Sequence, residues 1–300
     1  MVAIVGSFSD TLAGRAMRAL KSGLVCGVIA TLVGCAWTDT RQRELIYRPT
    51  PGRPANFAGL RAGDQMYLVD LPGASAERPE HLQFWWLPNA DPQAPTLLYL
   101  HGTFRNLYQN LRKVEALRDA GFAIVAVEYR GWGDSSPRVP SEASINADAD
   151  IAWDELVRHQ PDPERRVIFG HSMGGGVAVR LASTKHVRID YGALILESTF
   201  TRLPDVAKAA GVLGTIASWI TTQEFDSVDK IGHVDAPILM MHGTADTTVP
   251  IALGQTLYRA APAGTRFVEF PGGSHSGLDS ESPDLYRQTL RQFIAQLPAP

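Results

Sequence analysis

Six continuous apolar runs, each of strand length and most separated from the next by a stretch of helical length, constrain this chain more than any other feature. They lie at 96–100 (TLLYL), 122–127 (FAIVAV), 166–170 (RVIFG), 193–197 (ALILE), 237–242 (PILMMH) and 266–270 (RFVEF). A strand apolar on both faces must be covered on both faces. The intervening segments 107–120, 144–159, 174–184 and 251–260, and 283–297 after the last run, are predicted helices. Strands alternating with such helices are joined by right-handed crossovers, so the predicted fold class is α/β, a mostly parallel sheet with helices on both faces. Two further stretches, 66–71 (MYLVDL) and 82–88 (LQFWWLP), read as a strand pair that opens the domain. No internal repeat or Pro/Ser linker divides residues 65–300. The one long departure is 199–235, whose apolar patch AAGVLGTIASWI is expected to form a small cap that shapes an entrance.

Charge excludes several function classes. The 28 basic and 31 acidic residues give a net charge of −3 with no basic stripe, so neither nucleic acid nor a polybasic membrane patch is an expected partner. The two cysteines, Cys26 and Cys35, both precede the body of the chain. That excludes a disulfide framework and a thiolate zinc site within the body.

The N-terminus reads as a targeting segment. Arg15, Arg18 and Lys21 precede a run from Ser22 to Trp37 (SGLVCGVIATLVGCAW) that is short for a membrane span. The run contains Leu32-Val33-Gly34-Cys35, which resembles the bacterial lipoprotein cleavage box. The expectation is therefore a signal peptide over 1–34, with Met17 as the true start, and lipidation of Cys35. Residues 35–64, containing Pro49, Pro51, Gly52 and Pro54, would form a tether, and the protein would be exported and anchored to a bacterial membrane. A plain secretory signal or a short membrane-tethering helix is the alternative.

The candidate chemistry begins at Gly170-His171-Ser172-Met173-Gly174-Gly175. This is G-x-S-x-G directly after a strand and before a helix, the context of a nucleophile elbow. A serine on so sharp a turn sits on a strained backbone, and Gly170 and Gly174 must lack a Cβ for strand and helix to approach. A serine nucleophile needs an imidazole to take its proton and a carboxylate to orient the imidazole, here in the order Ser, acid, His. Of eight histidines only His275, in PGGSHSG, follows the last acid-bearing loop. Asp246, at the carboxyl end of a predicted buried strand, is the favoured acid, with Glu197 as runner-up. The Thr103 amide is the first expected oxyanion donor, with Phe104 as its alternate, and the Met173 amide is the second. His101 is expected to bond within its own loop, His171 to be an elbow spacer, and Met240 and Met241 to lie in the core.

These segments, with Tyr99-Leu100-His101-Gly102, Glu128-Tyr129-Arg130-Gly131-Trp132-Gly133-Asp134-Ser135, Glu197-Ser198-Thr199-Phe200-Thr201, His242-Gly243-Thr244-Ala245-Asp246 and Gly273-Ser274-His275, resemble the α/β-hydrolase superfamily. They look most like its serine aminopeptidase-like and depalmitoylase-like branch, over about residues 80–297. The resemblance implies catalytic roles for Ser172, Asp246 and His275, oxyanion roles for Thr103 and Met173, and no metal or organic cofactor. The implied activity is hydrolysis of an acyl ester or thioester through an acyl-enzyme, on a small-molecule or lipid substrate or an acylated protein. Peptide or amide cleavage ranks lower, because an amine leaving group must be protonated and no acidic cluster is evident to hold a peptide's free amine. A non-catalytic, membrane-tethered binding protein of the same fold is the alternative class, against which the intact Ser, Asp and His set argues. Phe104 and Arg105 stand where relatives often carry smaller residues, which is expected to narrow the mouth of the site.

Overall fold

The structure, a computed structural model, describes residues 37–71, 79–212, 214, 218 and 221–298. The predicted signal, the proposed start at Met17 and Cys35 all lie outside the described residues, as does part of the apolar patch in the predicted cap.

Eight strands form one sheet: β1 (Gln65–Asp70), β2 (His81–Leu87), β3 (Thr96–Leu100), β4 (Ala123–Glu128), β5 (Arg166–His171), β6 (Ala193–Glu197), β7 (Ile238–Gly243) and β8 (Arg266–Phe270). Their order in the sheet is β1-β2-β4-β3-β5-β6-β7-β8. The first two pairings, β1 with β2 and β2 with β4, are antiparallel, and the rest are parallel. The eight predicted strands match to within a residue at either end.

The helices are α1 (37–47), α2 (Leu107–Ala120), α3 (Glu142–His159), α4 (Met173–Ser183), α5 (Leu203–Ala209), α6 (Val228–Ile231), α7 (Ile251–Ala260), α8 (Leu278–Glu281) and α9 (Pro283–Ile294). Alternate strand residues feed two cores, as a period of two requires. Leu98, Val125, Ile168, Leu194 and Met240 pack with α3, α4 and α7 on one face. Leu97, Ile124, Phe169, Ile195 and Met241 pack with α2 and α9 on the other. This is the two-sided covering that the continuous apolar runs demanded.

Residues 37–64 differ from the predicted tether. Residues 37–47 are helical, and Tyr47 is fully buried, edge-on to Trp132 and Phe225. The segment that follows is pinned to the body: the Gly52 amide donates to the Gly133 carbonyl at 2.6 Å, and the Gly133 amide donates to the Thr50 carbonyl at 3.0 Å. Phe57 packs on Trp85 and Tyr108. The prolines make the segment extended, but its aromatic and backbone groups find partners on the body, so it does not hang free.

Chain direction positions the site. From β3 the chain runs to β4 on one side and then crosses back to β5 on the other, which opens a crevice at the carboxyl ends of β3 and β5. Leu100 pairs with Gly170 across it, so residues 101–104 and Ser172 face each other.

Candidate active site

Ser172 joins β5 to α4 at φ 55°, ψ −122°, a region that β-carbon-bearing residues avoid. The turn exists because its glycines permit it. A Cβ on Gly170 would overlap the Gly174 carbonyl, and one on Gly174 would overlap the Leu100 carbonyl. Both elbow glycines are therefore required by close approach, not by φ.

The structure brings the three widely spaced candidates together. His275 Nε2 lies 2.9 Å from Ser172 Oγ, and His275 Nδ1 lies 2.8 Å from Asp246 Oδ2. Asp246 is buried. Burial alone pushes its carboxyl up, but hydrogen bonds from His242, His275 and the Val249 amide outweigh that and hold it well below the usual carboxylate range. An ionised carboxylate only accepts, so Nδ1 carries the imidazole proton and Nε2 presents its lone pair to the serine hydroxyl. The Thr248 and Val249 amides donate to Asp246 Oδ1 at 2.9 and 2.8 Å, which fixes the carboxylate plane.

Glu197, the runner-up acid, is engaged elsewhere. Its Oε1 pairs with Lys113 Nζ and its Oε2 accepts from the Tyr286 hydroxyl at 2.8 Å, with Asp279 Oδ1 also 3.1 Å from Lys113. All four groups are buried, and the cluster ties α2, β6, α8 and α9 together beneath the site.

Two histidines have roles that sequence reasoning missed. His171 Nε2 lies 3.0 Å from the His275 carbonyl, and burial, aided by the nearby Lys113 charge, pushes its pKa well below the usual imidazole value. It is a neutral donor that holds the His275 backbone. His242 Nε2 lies 2.9 Å from the Val249 carbonyl and 3.3 Å from Asp246 Oδ2, so it donates to both and steadies the acid. The i,i+4 spacing of His242 and Asp246 was the only signal of this contact. His101 bonds within its own loop, Nδ1 to the Gly102 carbonyl at 2.6 Å, and reaches Glu128 Oε1 at 3.1 Å. Met240 and Met241 are buried, one in each core.

For the oxyanion donors, the Phe104 N–H donates to the Tyr47 carbonyl at 3.2 Å, so Thr103 is the better placed of the two alternatives. A Cβ on Gly102 would meet Ser172 Cβ at 3.0 Å, so this loop packs directly on the elbow. Met173 is the first residue of α4, where amides have no intrahelical partner.

Two cavities of about 430 Å³ each meet at Ser172. One is walled chiefly by apolar groups: Met173, Val249, the cap residues Leu203, Val206 and Ala207, and part of α1. The other is polar, with Asn110, Thr247, Ser274 and Ser276. Phe104 borders both and is 44% exposed at the mouth. A larger cavity, about 660 Å³, sits at the amino ends of β6, β7 and β8, away from Ser172. Among the described residues no His, Cys, Asp and Glu cluster is arranged to hold a metal ion.

A family model described as serine aminopeptidase, S33, matches residues 91–227. The Arabidopsis thaliana α/β-hydrolase domain-containing protein WAV2 is 29% identical over 294 residues, covering 91% of this chain and 91% of its own. The Danio rerio lysophosphatidylserine lipase ABHD12 is 32% identical over 192 residues, 59% of this chain and 50% of that protein. The crystal structure of the Pyrococcus furiosus esterase Pf2001 superposes with a TM-score of 0.66 at 16% identity, covering 83% of this chain and 97% of that one. With its eight-stranded, mostly parallel sheet and a serine elbow at the end of β5, the chain has the α/β-hydrolase fold and is a hydrolase of that superfamily.

Proposed function

We propose that the chain cleaves acyl esters, with Ser172 as nucleophile, His275 as general base and then general acid, and Asp246 as the group that orients His275. The reading rests above all on the Asp246–His275–Ser172 contacts at 2.8 and 2.9 Å, with Ser172 lining an apolar cavity. Ser172 Oγ would attack the substrate carbonyl as His275 Nε2 takes its proton. The Thr103 and Met173 amides would then meet the negative charge that develops on the carbonyl oxygen. His275 would protonate the departing alcohol or thiol, and a water activated by the same nitrogen would release the acid. The apolar cavity suits the acyl chain, and the polar one suits the leaving group and the entering water.

Ester or thioester cleavage is favoured over aminopeptidase chemistry by the walls of the two cavities. Among the described residues that line them there is no Asp or Glu, whereas a peptide's free amine calls for a carboxylate. The lipase and esterase named among the similar proteins agree with this choice. We further propose that export and lipidation at Cys35 bring the protein to a membrane. Among the described residues no helix is long and apolar enough to cross one.

A fluorophosphonate probe tests the chemistry. The wild-type protein should be labelled, with the adduct mapping to Ser172. Ser172→Ala should abolish labelling and lower turnover of an acyl ester by on the order of 10⁶. Labelling at another residue, or near wild-type turnover in the variant, rejects the assignment.

A further inference from the structure

We infer that α1, a helix outside the sheet and its covering helices, sets how long an acyl chain this site accepts, through Leu45 and Ile46. The inference rests on the acyl-ester reading above and extends it to a segment that sequence alone assigned to a tether.

Gln42, Leu45 and Ile46 line the apolar cavity together with Ser172. Their spacing, i, i+3 and i+4, places them on one face of the helix, so α1 presents a continuous wall to the cavity. That wall is held firmly. Tyr47 is buried at its end, and its hydroxyl donates to Gln223 Oε1 at 2.7 Å. Its carbonyl accepts the Phe104 amide at 3.2 Å, and the Thr50 hydroxyl donates to the Phe104 carbonyl at 2.6 Å. Arg43 Nη1 donates to the Val139 and Pro140 carbonyls at 3.4 Å. The loop that carries the candidate oxyanion donor and the helix that walls the cavity are thus fastened to each other, so the wall keeps a fixed distance from Ser172.

Leu45 is 70% exposed although it borders the cavity. An exposed leucine adds little to the stability of the fold, and its apolar surface leaves water only when something covers it. An acyl chain running from Ser172 along the cavity would do so, while Ile46, partly buried against the core, would meet the chain further in. Each methylene moved from water to apolar contact is worth up to about fourfold in affinity. The preference for longer chains should therefore rise carbon by carbon while there is wall to meet, and level off where the wall ends.

The experiment uses the full chain and straight-chain p-nitrophenyl esters from acetate to laurate, read as the ratio of kcat/KM for decanoate to that for acetate. Ile46→Trp, which fills cavity space, should lower this ratio at least tenfold, and Leu45→Ser should lower it severalfold. Thermal unfolding of both variants is followed alongside. If Ile46→Trp fails to fold, Leu45→Ser, at an exposed position, decides alone. An unchanged ratio in the variants that fold overturns the inference, while acyl-ester turnover by the wild type leaves the functional reading standing. If the wild type hydrolyses no ester of the series, the acyl-ester reading falls, and this inference falls with it.

Discussion

Asp246 and Glu197 are both buried carboxylates that close parallel strands or the turns just after them, yet their surroundings separate them cleanly. Asp246 receives two backbone amides, His242 and His275, whereas Glu197 is matched to Lys113 and Tyr286. Asp246→Asn should accordingly lower kcat by on the order of 10⁴, because an amide in that place favours the wrong imidazole tautomer. Glu197→Gln should leave kcat within about tenfold for the folded fraction while lowering the unfolding midpoint, since it leaves the buried Lys113 less well matched. Steady-state kinetics with urea denaturation distinguish the two, and the reverse ranking would make Glu197 the acid. The depressed pKa of Asp246 also has a sign in stability. Its native value lies below that of the unfolded chain, so its ionised form stabilises the fold above about pH 4 and this contribution is lost as pH falls toward the native value. The pH dependence of stability between pH 5 and 3 should therefore be shallower in Asp246→Asn than in the wild type, as read by urea midpoints. The roles of His171 and His242 could not be read in the same way. Each depends on a backbone carbonyl brought up from another turn, and apart from the i,i+4 spacing of His242 and Asp246 no local pattern announces them.

The strand–turn–helix of β5, Ser172 and α4 is the element on which the site depends, and it is unusually intolerant of side chains. Replacing a helical glycine by alanine ordinarily gains up to about 1 kcal/mol. At Gly174 the new Cβ would overlap the Leu100 carbonyl, a backbone atom of the central strand that has no room to swing away. Gly174→Ala should therefore destabilise by about 3 kcal/mol or more and displace Ser172, costing activity as well. Gly232 provides the contrast: its nearest neighbour to a built Cβ is the Ala260 carbonyl at 3.6 Å, and its φ is −63°. Gly232→Ala should be neutral or slightly stabilising, and paired denaturation curves check both signs. Most element boundaries were legible beforehand, because both the apolar runs and the caps are local. Asn106 and Ser141, for example, each accept a backbone amide at the start of α2 and α3. The helix at 37–47 was not, because the prolines that follow it and the targeting pattern that precedes it outweighed the short apolar cluster at 45–47.

Across the whole molecule, α1 joins the region before the body to the site itself. Its described part runs from Trp37, two positions after Cys35 in the sequence, and ends against the Phe104 loop. A lipid on Cys35 would therefore hold the acyl cavity close to a membrane surface instead of leaving it at the end of a long tether. Mass spectrometry of the protein recovered from its native membrane should find a chain that starts at Cys35 and carries a diacylglycerol thioether. Each buried methylene adds about 0.8 kcal/mol, so two or three acyl chains retain it firmly where one would not. Recovery of an unmodified soluble protein starting at another residue removes the anchor from the proposal and restores small soluble esters as the default substrates.

The order of the strands and main helices, the two-sided burial of the central strands and the candidate set Ser172, Asp246 and His275 could all be read from sequence alone. Each is carried by local pattern: apolar runs of strand length, glycines around a serine, and the chain order of nucleophile, acid and imidazole. Sequence already ranked Asp246 above Glu197 and Thr103 above Phe104; the folded chain supplies the physical reason. In each case the decision turns on which distant group, Lys113 or the Tyr47 carbonyl, already occupies the competing atom. The apolar cavity is likewise a product of tertiary structure, since its walls come from the elbow, the cap and α1, the last more than a hundred residues from the other two. Local periodicity fixes which face of a segment is apolar, but only packing decides what that face encloses.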